Sequence, residues 1–106
     1  MTQPIDAEMA RIIHALWERN QAQVNQRLQL LDRAAAENLQ GHMGEALRRE
    51  AREVAHKLAG SLGMFGFTAG GEIARRMERL FESGSPDPGL LLELTQELRG
   101  SLLRQA

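Results

Sequence analysis

Apolar residues recur every three or four positions along most of the chain, which is the spacing of amphipathic α-helices. The N-terminal part contains two such series: Met9, Ile12, Ile13, Leu16 and Trp17, then Val24, Leu28, Leu31, Ala35 and Leu39. One helix across both series, from Asp6 to Gln40, would extend for about 50 Å, much longer than any later segment. We therefore expect a bend or break near Arg19–Gln21, which would create an additional N-terminal helix.

The predicted ends of the first helical region follow from local chemistry. Pro4 disfavours helix at Gln3, so we expect residues 1–5 to be extended and Asp6 to cap the helix. Gly41 lies where a C-capping glycine belongs.

Three further helices are predicted downstream. The first runs from Met43–Glu45 to Gly63 or Met64, and the second starts at a Thr68 cap and stops at Ser83-Gly84. The last has Asp87 as its N-cap and Pro88 as its first residue. Together the segments predict an all-α protein: one domain over residues 1–106, an antiparallel four-helix bundle with an additional N-terminal helix.

Composition and charge narrow the possible functions. The 106 residues include no cysteine, which excludes disulfides and thiolate chemistry. The net charge of −1 mixes both signs along the chain, so we expect no nucleic-acid partner. No apolar run approaches the roughly 18 residues that a membrane span needs, and the N-terminus lacks the features of a signal peptide. We expect a cytoplasmic protein without a membrane anchor.

The third helical segment carries the candidate chemistry at His56. Projected on a helical wheel, His56 faces away from the leucine stripe, so its ring should be exposed. Arg49, Arg52, Glu53, Ala59, Gly60 and Gly63 fall on the same face. Glycine in a helix costs roughly 0.5–1 kcal/mol relative to alanine, so glycines on a solvated face suggest a surface cleared for another protein.

Other histidine chemistries fit less well. Glu53 and His56 have the Glu-x-x-His spacing of di-iron bundles, but such a site needs two inward-facing motifs and the chain offers one that faces outward. Close helix packing would also explain glycines, yet Gly60 and Gly63 point away from the leucine stripe. His14 and His42 are interpreted as ordinary solvated histidines.

These residues resemble the histidine-containing phosphotransfer (HPt) family of bacterial-type phosphorelays. The family pattern His-x-Leu-Lys-Gly-Ser corresponds to His56-Lys57-Leu58-Ala59-Gly60-Ser61, with Gly66 ten residues after the histidine and Met77-Glu78 at the family's Leu-Glu. Two positions depart from the pattern: Ala59 replaces the usual lysine, and Gly70 replaces a usually apolar residue.

The resemblance implies a phosphoryl carrier rather than an enzyme, which shuttles the group between receiver-domain aspartates through a phosphohistidine at His56. Glu78 would orient the imidazole, and Arg52 is a possible phosphate contact. Ala59, Gly60, Gly63, Lys57 and Arg49 would form the partner-binding surface.

The implied partners are response-regulator receiver domains and a sensor or hybrid histidine kinase. The chain would be a monomer with no cofactor of its own, because the receiver supplies Mg²⁺.

Two rival functions remain open. A histidine-kinase dimerisation helix pair would carry an acidic residue after its histidine and then a proline, whereas Lys57 and Gly60-Ser61 fill that region here. A bundle that binds a receiver or another partner without phosphotransfer is the second alternative, and Ala59 at the lysine position favours it.

Overall fold

Four α-helices joined by short connectors form the part of the protein that the structure describes. The computed structural model describes residues 4–105, with side chains described for residues 7–104. The helices are α1 Pro4–Leu39, α2 Glu45–Met64, α3 Thr68–Glu82 and α4 Pro88–Gln105. The described residues form no strand, so the predicted all-α bundle is confirmed. In that range no helix is both long enough and apolar enough to traverse a bilayer.

The predicted break in the N-terminal region is wrong, because α1 is a single helix of 36 residues. No glycine or proline lies between Pro4 and Leu39, and Arg19–Gln21 occupies uninterrupted helix. The additional N-terminal helix therefore does not exist as a separate element. The lengths of α2, α3 and α4 place no limit on the length of α1.

The start of α1 also differs from the prediction. Pro4 and Ile5 are helical rather than extended, since proline is tolerated in a first helical turn, where its missing N–H has no partner to lose. Asp6 lies inside this first turn, so it is not the N-cap. Gln3 and the rest of residues 1–3 fall outside the described residues.

The length of α1 gives the molecule its shape. The principal extents are 52 × 21 × 19 Å, and the long dimension matches about 54 Å expected for 36 helical residues. The C-terminal part of α1 packs in the bundle, and its fully buried positions begin at Val24. Further toward the N-terminus, Trp17 packs against Phe65 and Phe67 in the α2–α3 connector, with ring centroids 5.6 and 4.5 Å apart.

One continuous core joins all four helices. Its largest fully buried side chains are Leu31, Leu58, Leu62, Met77, Phe81, Leu91, Leu94 and Leu98. Leu47 and Val54, two apolar residues of α2, are only half-buried, and Leu39 at the end of α1 is 53% exposed. Leu58 and Leu62, on the leucine stripe of α2, are fully buried, and their position determines which side of α2 meets solvent.

The connectors follow local chemistry at most positions. Gly41 has a φ of +75°, a conformation that favours glycine, and it ends α1 as predicted. Asp87 caps α4 as predicted, because its Oδ1 accepts a hydrogen bond of 3.1 Å from the backbone N–H of Leu90. The predicted Thr68 cap is wrong: Phe67 occupies the N-cap position without a side-chain hydrogen bond, and Thr68 is the first helical residue.

Candidate functional site

His56 lies in the middle of α2 and projects into solvent. Its side chain is 72% exposed, whereas Leu58, two residues further along the same helix, is fully buried. This is the orientation that the apolar pattern predicts, since positions two apart lie on nearly opposite sides of a helix. The imidazole is therefore open to an approaching molecule on one side and backed by the core on the other.

Glu78 on α3 holds the imidazole. Its Oε2 lies 2.9 Å from Nδ1 of His56, and only 18% of the Glu78 side chain is exposed. An ionised carboxylate only accepts hydrogen bonds, so Nδ1 carries the proton and donates it to Glu78. In the neutral ring the free lone pair is then on Nε2, the more distant nitrogen from Glu78.

A second ion pair lies one helical turn away. Nη1 of Arg52 is 3.4 Å from Oε1 of Glu82, and both side chains are about half exposed. Arg52 precedes His56 by four residues on α2, and Glu82 follows Glu78 by four residues on α3. The guanidinium predicted as a phosphate contact is thus paired with a carboxylate in this structure.

The predicted partner-binding residues lie in different environments. Gly60 and Gly63 are exposed, and a Cβ added at either glycine would meet no atom within 4 Å. Helix packing therefore does not require glycine at either position. The effect of the two glycines is to leave open space beside His56. Lys57 is exposed, and Arg49 is exposed with its Nε 3.1 Å from Oε1 of Glu45.

Ala59 does not lie on the exposed face where the helical projection put it. Its side chain is 4% exposed. The reason is the position of α3: a Cβ added at Gly71 would lie 3.3 Å from the Ala59 carbonyl oxygen and 3.5 Å from the Gly63 nitrogen. Glycine at position 71 lets α3 approach α2 closely, and this covers Ala59. Ala59 belongs to the helix–helix contact beneath the histidine face.

Arg48 is a structural residue of this region that the sequence analysis missed. Its guanidinium donates to both carboxylate oxygens of Glu45 and to the backbone carbonyl of Phe81 near the end of α3. The hydrogen bond from Arg48, with its positive charge, lowers the pKa of Glu45 below its usual value, and Glu45 raises the pKa of Arg48. Positions 48 and 81 are 33 residues apart, so no local pattern could have paired them.

The described residues contain no cluster of three His, Asp or Glu side chains that could hold a metal ion. A polar cleft one turn below His56 is lined by Arg48, Arg49, Arg52, Glu53 and Glu82. Its charges are mixed, and its arginines at positions 48, 49 and 52 all have carboxylate partners. The chemistry available in this region is therefore that of the imidazole, its carboxylate partner and the surrounding cations.

The described residues form a helical bundle in which the exposed imidazole of His56 on one helix is paired at Nδ1 with a carboxylate from the next helix. The Hpt domain family matches residues 15–104, which is most of the chain. The chain belongs to the Hpt family. No curated protein and no solved structure matches it.

Family membership gives the general role of the chain. Hpt domains take part in phosphotransfer in two-component signalling, where they carry phosphoryl groups and interact with receiver domains and histidine kinases. The matched range includes all of α2 and α3, and therefore His56 and Glu78.

Proposed function

We propose that this protein is a phosphoryl carrier whose acceptor atom is Nε2 of His56. The observation that carries the proposal is the hydrogen bond of 2.9 Å between Nδ1 of His56 and Oε2 of Glu78. It leaves the nucleophilic lone pair on Nε2 of a side chain that is 72% exposed. An imidazole fixed in one tautomer and directed at solvent is suited to attack a phosphorus atom on another protein.

The transfer step balances with the groups at hand. The Nε2 lone pair of His56 forms a bond to the phosphorus of an aspartyl phosphate, and the bond from that phosphorus to the aspartate oxygen breaks. The aspartate leaves as a carboxylate. His56 retains its Nδ1 proton and becomes a phosphorylated imidazolium, whose positive charge is balanced by the carboxylate of Glu78. Transfer to the next aspartate reverses these changes.

The surroundings of His56 allow a receiver domain to approach. Gly60, one helical turn beyond the histidine, presents no side chain, and Gly63 continues the cleared surface. In this proposal the receiver brings the Mg²⁺ and the acidic pocket, while the carrier supplies the oriented nucleophile. Gly60, Gly63 and Lys57 form the partner-binding surface, and Ala59 supports it from beneath.

A transfer experiment tests the acceptor. The protein is incubated with a receiver domain labelled on its aspartate, and an acid-labile, base-stable label is sought on the protein. We expect the label on wild type and its loss in His56→Gln. His14→Gln is the matched control, since His14 is also an exposed helical histidine beside a glutamate, with its Nε2 3.0 Å from Oε1 of Glu18. A label that persists in His56→Gln contradicts the assignment.

A second candidate is a bundle that binds a receiver without accepting its phosphoryl group. The observation in its favour is Ala59, a small buried residue where the resemblance leads us to expect a lysine. Under this alternative the wild-type protein would bind the phosphorylated receiver but carry no label, and His56→Gln would bind as well as wild type. The same incubation, followed by a binding measurement, separates the two functions.

A further inference from the structure

The helices α2 and α3 run antiparallel, and their contacts establish a register. His56 pairs with Glu78 at 2.9 Å, and four residues earlier on α2 Arg52 pairs with Glu82, four residues later on α3, at 3.4 Å. Each turn along α2 therefore corresponds to one turn back along α3. The two ion pairs occupy successive levels on the exposed edge between the helices.

The same register continues on the other side of His56. The Cβ position of Gly71 lies 3.5 Å from the nitrogen of Gly63 and 3.3 Å from the carbonyl oxygen of Ala59. Gly63 is seven residues beyond His56, and Gly71 is seven residues before Glu78. The contacts between α2 and α3 before and after His56 therefore follow the same antiparallel register.

This register brings Arg75 to the level of Ala59. Arg75 precedes Glu78 by three residues, as Ala59 follows His56 by three. Residues three apart on a helix share a face, with Cβ atoms about 5–6 Å apart. Arg75 is exposed and forms no ion pair in the part of the chain that the structure describes. An exposed guanidinium without a carboxylate partner therefore lies one level beyond the histidine.

We infer that Arg75 contacts the phosphoryl group carried by His56, a role that rests on the proposed function. A phosphoryl group adds about 1.5 to 2 negative charges beside an edge where Arg52 is already paired with Glu82. Arg75 is a cation at the level of Ala59 whose guanidinium is available without breaking an ion pair among the described residues. Its planar donors match the phosphoryl oxygens.

The charged groups facing the phosphoryl position define what Arg75 contributes. Glu78 supports the ring and repels the phosphoryl group, and the Arg52–Glu82 pair adds no net charge. Arg75 offsets the repulsion from Glu78. Its removal should destabilise the phosphohistidine relative to the free histidine without changing the fold.

The test uses phosphoramidate, a small donor that requires no receiver. Its N–P bond breaks, ammonia leaves, and the new N–P bond forms at Nε2 of His56. The phosphorylated fraction and its half-life after removal of the donor are measured for wild type, Arg75→Gln, Arg75→Lys and Arg76→Gln. Arg76 is the matched control, because it is also an exposed arginine, and at two residues from Glu78 it lies on nearly the opposite side of α3 from that glutamate.

We expect Arg75→Gln to shorten the half-life about three- to tenfold, as for the loss of one exposed charge-assisted contact, with the same helical signal and melting temperature. Arg75→Lys should recover most of the lifetime, and Arg76→Gln should match wild type. A half-life unchanged in Arg75→Gln, or shortened equally in Arg76→Gln, overturns the role of Arg75 and leaves the carrier function standing. Absence of label from His56 in wild type refutes the carrier function itself, and the role of Arg75 with it.

Discussion

Replacing Glu78 with glutamine tests the hydrogen bond on which the proposed function depends. The substitution preserves the shape of the side chain and removes its charge. A neutral amide can accept from Nδ1 through its oxygen or donate to Nδ1 through its nitrogen. It therefore no longer selects the tautomer in which Nε2 carries the lone pair, and it no longer balances the positive charge of the phosphorylated ring.

The size of the effect follows from the exposure of the two partners. A hydrogen bond to a charged group contributes about 1.5–3 kcal/mol in a protein. His56 is 72% exposed and Glu78 is 18% exposed, so solvent screening reduces this to about 1–2 kcal/mol. If the interaction acts fully in the transition state, the transfer rate should fall about 5- to 30-fold.

Two measurements check this expectation. The single-turnover rate of phosphorylation of His56 is compared between wild type, Glu78→Gln and the control Glu72→Gln, which removes an exposed glutamate charge elsewhere on α3. Nitrogen chemical shifts of the His56 ring report its tautomer directly. A rate within twofold of wild type in Glu78→Gln, or a wild-type ring protonated on Nε2, would refute the orienting role of Glu78.

Three further outcomes test the packing and the surface around this pair. Leu58→Ala should lower the free energy of unfolding by about 3 kcal/mol, because a fully buried leucine leaves a cavity, and urea denaturation measures the loss. Gly60→Glu should retain its helix content by circular dichroism, because a side chain at this position meets no other atom, but it should block transfer from a receiver. Gly60→Ala is the control. Undiminished transfer in Gly60→Glu would contradict the interpretation of this surface as cleared for a partner. The lowered pKa of Glu45 stabilises the folded state fully above its unfolded pKa of about 4.5, and this contribution disappears as pH falls through the folded-state pKa. Melting temperatures between about pH 6 and about pH 3 should therefore converge for wild type and Glu45→Gln on the acid side, and a constant gap would contradict the ion pair with Arg48.

The parts of the fold that could be predicted are those fixed by neighbouring residues. Gly41 ends α1 because of its own φ, and Asp87 caps α4 through a bond to a residue three positions away. His56 faces solvent because its own helix buries Leu58. The general bundle and the exposed histidine therefore follow from local pattern.

The features that escaped prediction depend on distant parts of the chain. Arg19–Gln21 holds no residue that breaks a helix, and the expected break rested only on the lengths of the other helices, which do not constrain α1. Ala59 is buried by α3, whose position on one side of α2 no projection of α2 alone can supply. The bond from Arg48 to the Phe81 carbonyl likewise depends on the register between the two helices.

The α2–α3 register links the packing of the bundle to the chemistry of the histidine. Gly71 allows the helices to approach until a Cβ there would lie 3.3 Å from the Ala59 carbonyl oxygen, and the same approach brings the Glu78 carboxylate within 2.9 Å of His56. On the other side of His56, Arg48 of α2 donates a hydrogen bond to the Phe81 carbonyl of α3 and so connects the two helices there as well. An exposed imidazole has few contacts of its own. Its orientation therefore depends on the separation of α2 and α3, which is determined by contacts between these helices before and after His56. In the proposed carrier, residues that never touch the phosphoryl group would therefore determine the direction in which Nε2 of His56 points.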